Sequence, residues 1–352
     1  MRYFPLTRLT NEKSPEILVR LSRTMQWLAL GAALLITTSV SAQHLVSEAD
    51  YAIFVSQRAG ATELYLIDLN THQVSQLTDT GRAHITPSIA AGARMLTYAS
   101  REGSSYELFT AQVSSAWRTR RPVLAAINRL TIGTSDEINP SLTSDGSKMA
   151  FFTLGKGIEL MSSNGEDRRV IVPVSDSYFI FAPVISPDGK QVAYVSNRTG
   201  ANEIWLTTTT GATRQLTSGG TVLGGLNWSA DSQRIVFTTT ATTSRLSGIA
   251  IASVADGSFN VLTEGNDGEA SISPGGTLVI FTSLRDGDPE LYLLNLRSGA
   301  VERLTRNPGV DGSAVFVTVP NNPVRRTPTP GRRVADVQEK QETRYEYRKV
   351  NP

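Results

Sequence analysis

The chain has 352 residues, of which 34 are Lys or Arg and 32 are Asp or Glu, giving a formal net charge of +2. It has no cysteine and three histidines, which excludes disulfide bonds and thiolate metal sites and argues against zinc. A chain of this length can bury a large core without disulfides.

Residues 1–42 are predicted to be an export signal. Two arginines precede an apolar stretch at 27–40, and small residues at 40–42 are typical of a cleavage site. The stretch is shorter than the roughly 20 apolar residues of a membrane span. An uncleaved anchor and a translation start at Met25 are the alternatives. Lipid attachment through an N-terminal cysteine is excluded because the chain has none.

A sequence repeat of about 43 residues then occurs roughly six times between Tyr51 and Val319. The copies are aligned on the apolar residue that opens each of them, here called the opener. The openers are Ile89, Leu142, Ile185, Trp228, Ile272 and Phe316. Successive openers are 53, 43, 43, 44 and 44 residues apart, and a fixed period in this range predicts a repeat architecture.

Each copy predicts four short strands. The second is a run rich in β-branched and aromatic residues, as at 192–196, and the third alternates apolar and polar residues, as at 290–295. A Leu-Thr pair ends the fourth strand in five copies. Asp-Gly or Gly-Gly pairs between the first two strands supply the positive φ that tight hairpins need. Four strands per repeat are typical of propeller blades.

The ends of the array predict how the ring closes. The first copy starts at Tyr51 with a second strand, whereas 313–319 is a first strand with nothing after it. Pairing the two completes one blade and leaves no long sheet edge exposed. The prediction is an all-β, six-bladed β-propeller over residues 43–319, closed by an N- and C-terminal strand clasp.

The repeat resembles the WD-like repeat of TolB-type propellers, through the SPDG, VSNR, EIW and QLT segments at 186–189, 195–198, 203–205 and 215–217. The resemblance covers about three quarters of the chain. TolB also carries an α/β domain before its propeller, and the few residues between 42 and Tyr51 leave no room for one. The resemblance therefore implies a propeller-only relative, to which TolB's role in an envelope complex transfers by analogy.

Residues that recur in most copies are predicted to serve the blade itself. An arginine follows the second strand at positions 58, 101, 198 and 285. We expect these arginines to bond loop carbonyls or the glutamates that begin the third strand, Glu63, Glu107, Glu203 and Glu290.

The loops that lead into each first strand gather at one mouth of the channel, and their sequences differ. The candidate partner-binding rim consists of His84, Asp136, Glu137, Asp176, Tyr178, Asp267, Glu269 and Asp311. Residues 43–319 carry 21 basic and 26 acidic residues, a net charge of −5. Ordinary solvated loops are the alternative. A calcium or magnesium ion at these carboxylates is conceivable chemistry, but no cofactor or metal site is predicted.

The longest interval contains about ten extra residues near 114–123. They predict an extended hairpin between the third and fourth strands, whose tip lies on the face opposite the mouth. The tip forms a secondary candidate surface, Trp117, Arg118, Arg120 and Arg121. Trp and Arg are enriched at binding hot spots. A loop insertion without function is the alternative.

Residues 320–352 carry eight basic and four acidic residues together with several prolines. This composition predicts a disordered tail. A solvated tail is one interpretation, and a basic arm that touches anionic lipid, polymer or a partner is the other.

No catalytic residue is predicted. The Gly-x-Ser-x-Gly elbow of hydrolases is absent, and no convincing acid/base pair stands out. The sequence favours an exported, monomeric, non-catalytic scaffold, periplasmic or extracellular, that recognises a protein or cell-envelope component through the channel-mouth loops. Nucleic acid is not an expected partner of an acidic exported propeller. Alternatives are a propeller that binds a glycan or small ligand, with or without a cation, and an enzyme that acts on polysaccharide.

Overall fold

A computed structural model describes residues 49–115, 121–240 and 246–318. They form 24 strands in six antiparallel four-stranded sheets, the blades of a six-bladed β-propeller. The predicted export segment, the basic tail, Trp117, Arg118 and Arg120 lie outside the described residues. Within the described ranges, no helix is long and apolar enough to cross a membrane.

The blades are numbered in chain order. Blade 1 contains β1 (Tyr51–Ala59), β2 (Ala61–Asp68), β3 (Val74–Gln76) and β24 (Asp311–Val317). Blade 2 contains β4 (His84–Ala90), β5 (Met95–Glu102), β6 (Ser105–Ser115) and β7 (Pro122–Arg129). Blade 3 contains β8 (Glu137–Leu142), β9 (Lys148–Thr153), β10 (Gly157–Ser162) and β11 (Arg169–Pro173).

Blade 4 contains β12 (Ile180–Ile185), β13 (Gln191–Ser196), β14 (Glu203–Thr208) and β15 (Thr213–Gln215). Blade 5 contains β16 (Val222–Trp228), β17 (Arg234–Thr240), β18 (Ser247–Ser253) and β19 (Phe259–Val261). Blade 6 contains β20 (Asp267–Ile272), β21 (Leu278–Ser283), β22 (Glu290–Asn295) and β23 (Val301–Arg303).

The predicted clasp is confirmed in blade 1. Strand β24, from the end of the array, pairs antiparallel with β1, and Tyr51 lies opposite Val317. The chain therefore closes the ring with its last described strand in the innermost position of the first blade. The predicted second and third strands are confirmed as well, whereas the Leu-Thr pairs lie just after the fourth strands.

The hydrophobic core is divided among the six interfaces between neighbouring blades. Between blades 4 and 5, for example, Val195 and Ile204 share a buried cluster with Trp228 and Phe237. Each large apolar side chain buried in this way stabilises the fold by about 1.5–3 kcal/mol. The blades are thereby held to their neighbours in a closed ring.

A threonine–glutamate contact recurs in four blades and explains the Leu-Thr pairs. In blade 4, Thr217 Oγ1 donates to Glu203 Oε2 at 2.7 Å and accepts from the Ile204 backbone N–H at 2.9 Å. The same contact joins the pairs Thr78–Glu63, Thr131–Glu107 and Thr305–Glu290. The repeated glutamates are therefore held mainly by the fourth-strand end of their own blade.

Each innermost strand contains a β-bulge. In β4, Ile85 lies opposite Ala99, but the next pair is Ser88 with Thr97, so β4 has one extra residue. The bulge includes a residue three positions before the opener whose φ lies between 50° and 60° in all six blades. These six residues, called the channel ring, are Thr86, Asn139, Ala182, Gly225, Glu269 and Ser313.

Candidate functional site: the mouth face and the channel

The alternation of strand directions separates two faces of the propeller. The loops that lead into each innermost strand and the hairpins between second and third strands lie on one face, called the mouth face. The other two sets of turns lie on the opposite face, called the turn face. The mouth face therefore carries the loops with the most varied sequences.

Half of the predicted rim is buried. His84, Glu137, Asp267 and Asp311 are the first residues of β4, β8, β20 and β24, and each is at most 5% exposed. The sequence predicts all four on open loops, and this placement is wrong. Each lies five residues before its opener, and because the bulge breaks the alternating pattern, the strand extends further back than the pattern suggests.

Two of the buried carboxylates pair with the recurring arginines. Arg285 Nη2 lies 2.9 Å from both carboxylate oxygens of Asp267. Arg58 Nη2 lies 2.7 Å from Asp311 Oδ2. Burial raises the pKa of Asp311, although the Arg58 guanidinium acts in the opposite direction. Arg58 and Arg285 are therefore structural, as predicted, but the third-strand glutamates are not their partners, and Arg101 is exposed.

Blades 3 and 4 hold an arginine near the mouth face through different contacts. In blade 3, Arg168 Nη2 lies 2.6 Å from both Glu137 Oε1 and Glu159 Oε2. In blade 4, the Arg198 guanidinium lies 4.7 Å from the Tyr178 ring centroid and 4.5 Å from that of Trp205. Tyr178 therefore contributes a cation–π contact to the scaffold.

His84 joins blades 1 and 2. Its Nε2 lies 2.8 Å from Thr80 Oγ1 and 3.2 Å from Glu63 Oε2. Its Nδ1 is buried without a hydrogen-bond partner among the described residues. Burial lowers the pKa of His84, and Arg82 adds to this effect, although the carboxylates of Glu63 and Glu102 oppose it.

The other predicted rim residues lie in different surroundings. Asp136 is half-buried, and its Oδ1 accepts from the Tyr106 backbone N–H at 2.9 Å. Asp176 is exposed on the loop before β12, and Glu269 lines the channel. Within the described residues, no three His, Cys, Asp or Glu side chains are arranged to hold a metal ion. The role of the rim in partner binding stays a prediction.

The mouth face exposes apolar side chains that the rim prediction did not include. Twelve large apolar residues are exposed within the described ranges: seven on mouth-face loops and hairpins, Leu223 at the mouth end of β16, and four on fourth strands. Six of the first eight belong to blades 3 to 5 or to the loops that lead into them. Leu246 is one of the six, and the other five are called the apolar arc: Ile132, Leu154, Val174, Phe179 and Leu223. Ile132 is 86% and Phe179 75% exposed.

Backbone contacts connect the apolar arc to the blades. The Leu154 N–H donates to the Asp136 carbonyl at 2.9 Å, and the Val174 N–H donates to the Lys156 carbonyl at 3.1 Å. The Phe179 N–H donates to Asn197 Oδ1 at 2.7 Å. Three of the five arc residues therefore lie on loops whose backbones are fixed by hydrogen bonds, and Leu223 lies in strand β16.

The predicted long hairpin is confirmed between the third and fourth strands of blade 2. Strands β6 and β7 pair as far as Ser115 with Pro122. Arg121, at the base of the hairpin, donates to Gln73 Oε1 of blade 1. The rest of the secondary candidate surface lies in the undescribed tip.

The six innermost strands enclose a cavity of about 310 Å³ in the channel. The channel ring and the residues that follow it line the cavity. Contacts between blades hold the wall: the Ile185 N–H donates to Ser141 Oγ at 3.2 Å, and Trp228 Nε1 donates to the Val184 carbonyl at 3.0 Å. These lining residues lie within three positions of the openers, a constant spacing that could have identified them.

Comparison with solved structures finds the same architecture in other proteins. TolB from Acinetobacter baumannii matches with a TM-score of 0.61 at 18% identity, over 86% of this chain and 75% of that chain. A putative TolB from Agrobacterium tumefaciens matches with a TM-score of 0.56 at 20% identity, over 75% and 91% of the two chains. A chain of a nidogen/laminin complex matches with a TM-score of 0.55 at 13% identity, over 75% and 97%.

No protein-family model and no curated protein sequence matches the chain. At these identities, the likeness to solved structures concerns the fold alone. It agrees with the six sheets, the strand clasp and the repeat pattern. The chain adopts a TolB-like six-bladed β-propeller fold.

Proposed function

We propose that the protein is an exported, non-catalytic scaffold that binds a protein or cell-envelope component through its mouth face. The observation that carries the proposal is the apolar arc. Seven of the twelve exposed large apolar side chains of the described residues lie on mouth-face loops and hairpins, Leu223 lies at the mouth end of β16, and the other four lie on fourth strands. Exposed apolar clusters bordered by polar residues mark interaction sites on soluble proteins.

The rim provides the polar border of the arc. Asp136 and Asp176 lie on the loops that also carry Ile132, Val174 and Phe179. An aromatic anchor such as Phe179, surrounded by polar groups, is the usual composition of a binding hot spot. The proposal includes a monomeric propeller without a resident metal or cofactor, and export through residues 1–42.

The experiment is affinity capture from cross-linked native envelope extract with residues 43–352 as bait. The test bait carries Ile132→Ser, Leu154→Ser and Phe179→Ser. The control bait carries Ile127→Ser, Val170→Ser and Val301→Ser, which remove apolar side chains from the outer strands instead. Mass spectrometry of the native protein tests the export step, since cleavage of the signal would leave Gln43 as the first residue.

We expect the control bait to retain a partner that the test bait loses. A partner held equally by both baits, or none held by the unmodified bait, would refute the role of the mouth face.

A further inference from the structure

Glu269 is the one charged side chain among the described residues that line the channel cavity. It occupies the channel-ring position of blade 6, where the other five blades have Thr86, Asn139, Ala182, Gly225 and Ser313. The side chain is exposed to the cavity rather than buried in an ion pair. A neutral wall therefore contains one negative charge.

The carboxylate is held in a fixed orientation. The Ser313 N–H donates to Glu269 Oε2 at 2.9 Å, and the hydroxyls of Ser313 and Thr282 donate to the same atom at 3.1 and 3.3 Å. The Glu269 N–H donates to Thr238 Oγ1 of blade 5 at 3.2 Å. Among the described residues, Oε2 accepts every hydrogen bond to the carboxylate. A ligand would therefore bind at Oε1.

The surrounding wall suits a small organic cation with an alkyl part. Thr86 Oγ1 is buried beside the cavity without a hydrogen-bond partner among the described residues. Val184, Leu226 and Val315 add apolar surface to the wall. An ammonium group has three N–H donors and no acceptor, so it needs oxygen atoms of this kind. One carboxylate balances one positive charge, whereas Ca²⁺ takes six to eight oxygen ligands.

We propose that the channel binds a primary alkylammonium group, with Glu269 as its counter-ion. The ammonium pairs with the carboxylate, and the alkyl chain packs on the apolar wall. The group comes from a free amine or from a lysine side chain of a peptide. This site lies inside the channel and does not depend on recognition at the mouth face. Its volume is at the lower end of the 300–1,000 Å³ of ligand pockets.

The test is titration calorimetry of the full chain with n-pentylamine, and with 1-pentanol as the neutral isostere. The variant is Glu269→Gln, which keeps an oxygen that can accept from Ser313. The control is Glu166→Gln, the same change at an exposed carboxylate in the turn between β10 and β11, outside the channel. We expect Glu269→Gln to weaken pentylamine binding at least tenfold and Glu166→Gln to leave it unchanged.

A second arm identifies the source of the ammonium. Acetyl-Ala-Lys-Ala-amide and its norleucine counterpart are titrated in the same way. Tighter binding of the lysine peptide than of pentylamine supports the proposal with a peptide as the source, and the reverse order supports it with a free amine. Two results overturn it: no detectable pentylamine binding to the unmodified chain, or equal binding to the chain and to Glu269→Gln.

Discussion

At the scale of the residue, His84 makes the stability of the interface between blades 1 and 2 depend on pH. Burial acts to raise the pKa of its partner Glu63, but hydrogen bonds from Thr78, Thr80 and Gly81 outweigh burial, and the Glu63 pKa lies below its ordinary value. The His84 imidazole is buried, and its pKa is lowered. The two groups therefore respond in different pH ranges.

We expect the protein to lose stability as the pH falls through the range where histidine ordinarily titrates. The folded-state pKa of His84 lies below the ordinary 6.5, so the unfolded chain takes up a proton first. The stability that neutral His84 contributes is complete above about pH 6.5 and is lost as the pH falls toward the pKa of His84 in the folded state. The pKa of Glu63 lies below its ordinary value of 4.5, so the stability that Glu63 contributes is lost only below pH 4.5, outside this range.

The measurement is urea unfolding at about pH 7.5 and about pH 5.5. The unmodified protein should lose more free energy of unfolding between the two than His84→Gln. His72→Gln, which changes a partly exposed histidine outside this interface, is measured in parallel. Equal losses in the protein and in His84→Gln would contradict the prediction.

The residue scale also shows where the sequence pattern misleads. A residue unique to one blade is not thereby free for a ligand, because Asp267 and Asp311 neutralise the arginines that recur. Repetition correctly indicates that Arg58, Arg198 and Arg285 are structural, whereas Arg101 is exposed. Their partners vary: Arg58 and Arg285 pair with carboxylates, and Arg198 packs on aromatic rings. Blade 3 has Arg168, just before β11, in place of the recurring arginine.

At the scale of the element, the threonine–glutamate contact is the unit that the sequence repeats. Blade 5 provides a natural comparison, since its third strand has Gly248 at the position that is a glutamate in blades 1, 2, 4 and 6. Thr263 Oγ1 still accepts from the Ile249 N–H at 3.1 Å. The backbone part of the contact is therefore separable from the carboxylate part.

We expect Thr217→Val in blade 4 to lower the free energy of unfolding by about 2 kcal/mol. The substitution leaves the buried Glu203 carboxylate and the Ile204 N–H each without one hydrogen-bond partner, and each such group costs about 1–3 kcal/mol. Thr263→Val in blade 5 removes only the backbone partner and should cost about 1 kcal/mol. Chemical denaturation of the two variants measures the difference, and equal losses would show that the carboxylate contributes nothing.

Strand number, order and the clasp could be predicted from the sequence because they follow from period, alternation and turn residues. The beginnings of the innermost strands could not, because the bulge inserts one residue and reverses the side-chain alternation before each opener. Thr86 and Ala182 adopt positive φ without being glycine, which costs about 1–2 kcal/mol per residue. Local propensity gives no signal for such residues, since the closed ring imposes the conformation.

At the scale of the whole molecule, closure of the ring places the two candidate sites next to each other. The mouth face carries the apolar arc, and the channel that opens on it carries Glu269. Six bulges line the channel, and the ion pairs at the strand beginnings fix the loops around it. Both sites therefore depend on the same closed ring.

The clasp strand β24 is the element on which closure depends. Its side chains Ala314 and Phe316 belong to the cluster between blades 6 and 1, and Val315 and Val317 belong to the cluster between blades 1 and 2. Burial of one such Val or Phe side chain stabilises the fold by about 1.5–3 kcal/mol. The sum for the strand is comparable to the total stability of a domain, about 5–15 kcal/mol.

We expect a chain that ends at residue 310 to lose the cooperative fold, and a chain that ends at 318 to keep it. The shorter chain lacks β24, so β1 becomes an exposed edge, Arg58 loses Asp311, and two interfaces between blades open. The longer one lacks only residues beyond the clasp. Near-ultraviolet circular dichroism and thermal unfolding compare the two. If the chain that ends at 310 melts as one cooperative unit at the midpoint of the full chain, the clasp does not close the ring. If a synthetic 311–318 peptide restores the transition in trans, β24 acts by filling the first blade.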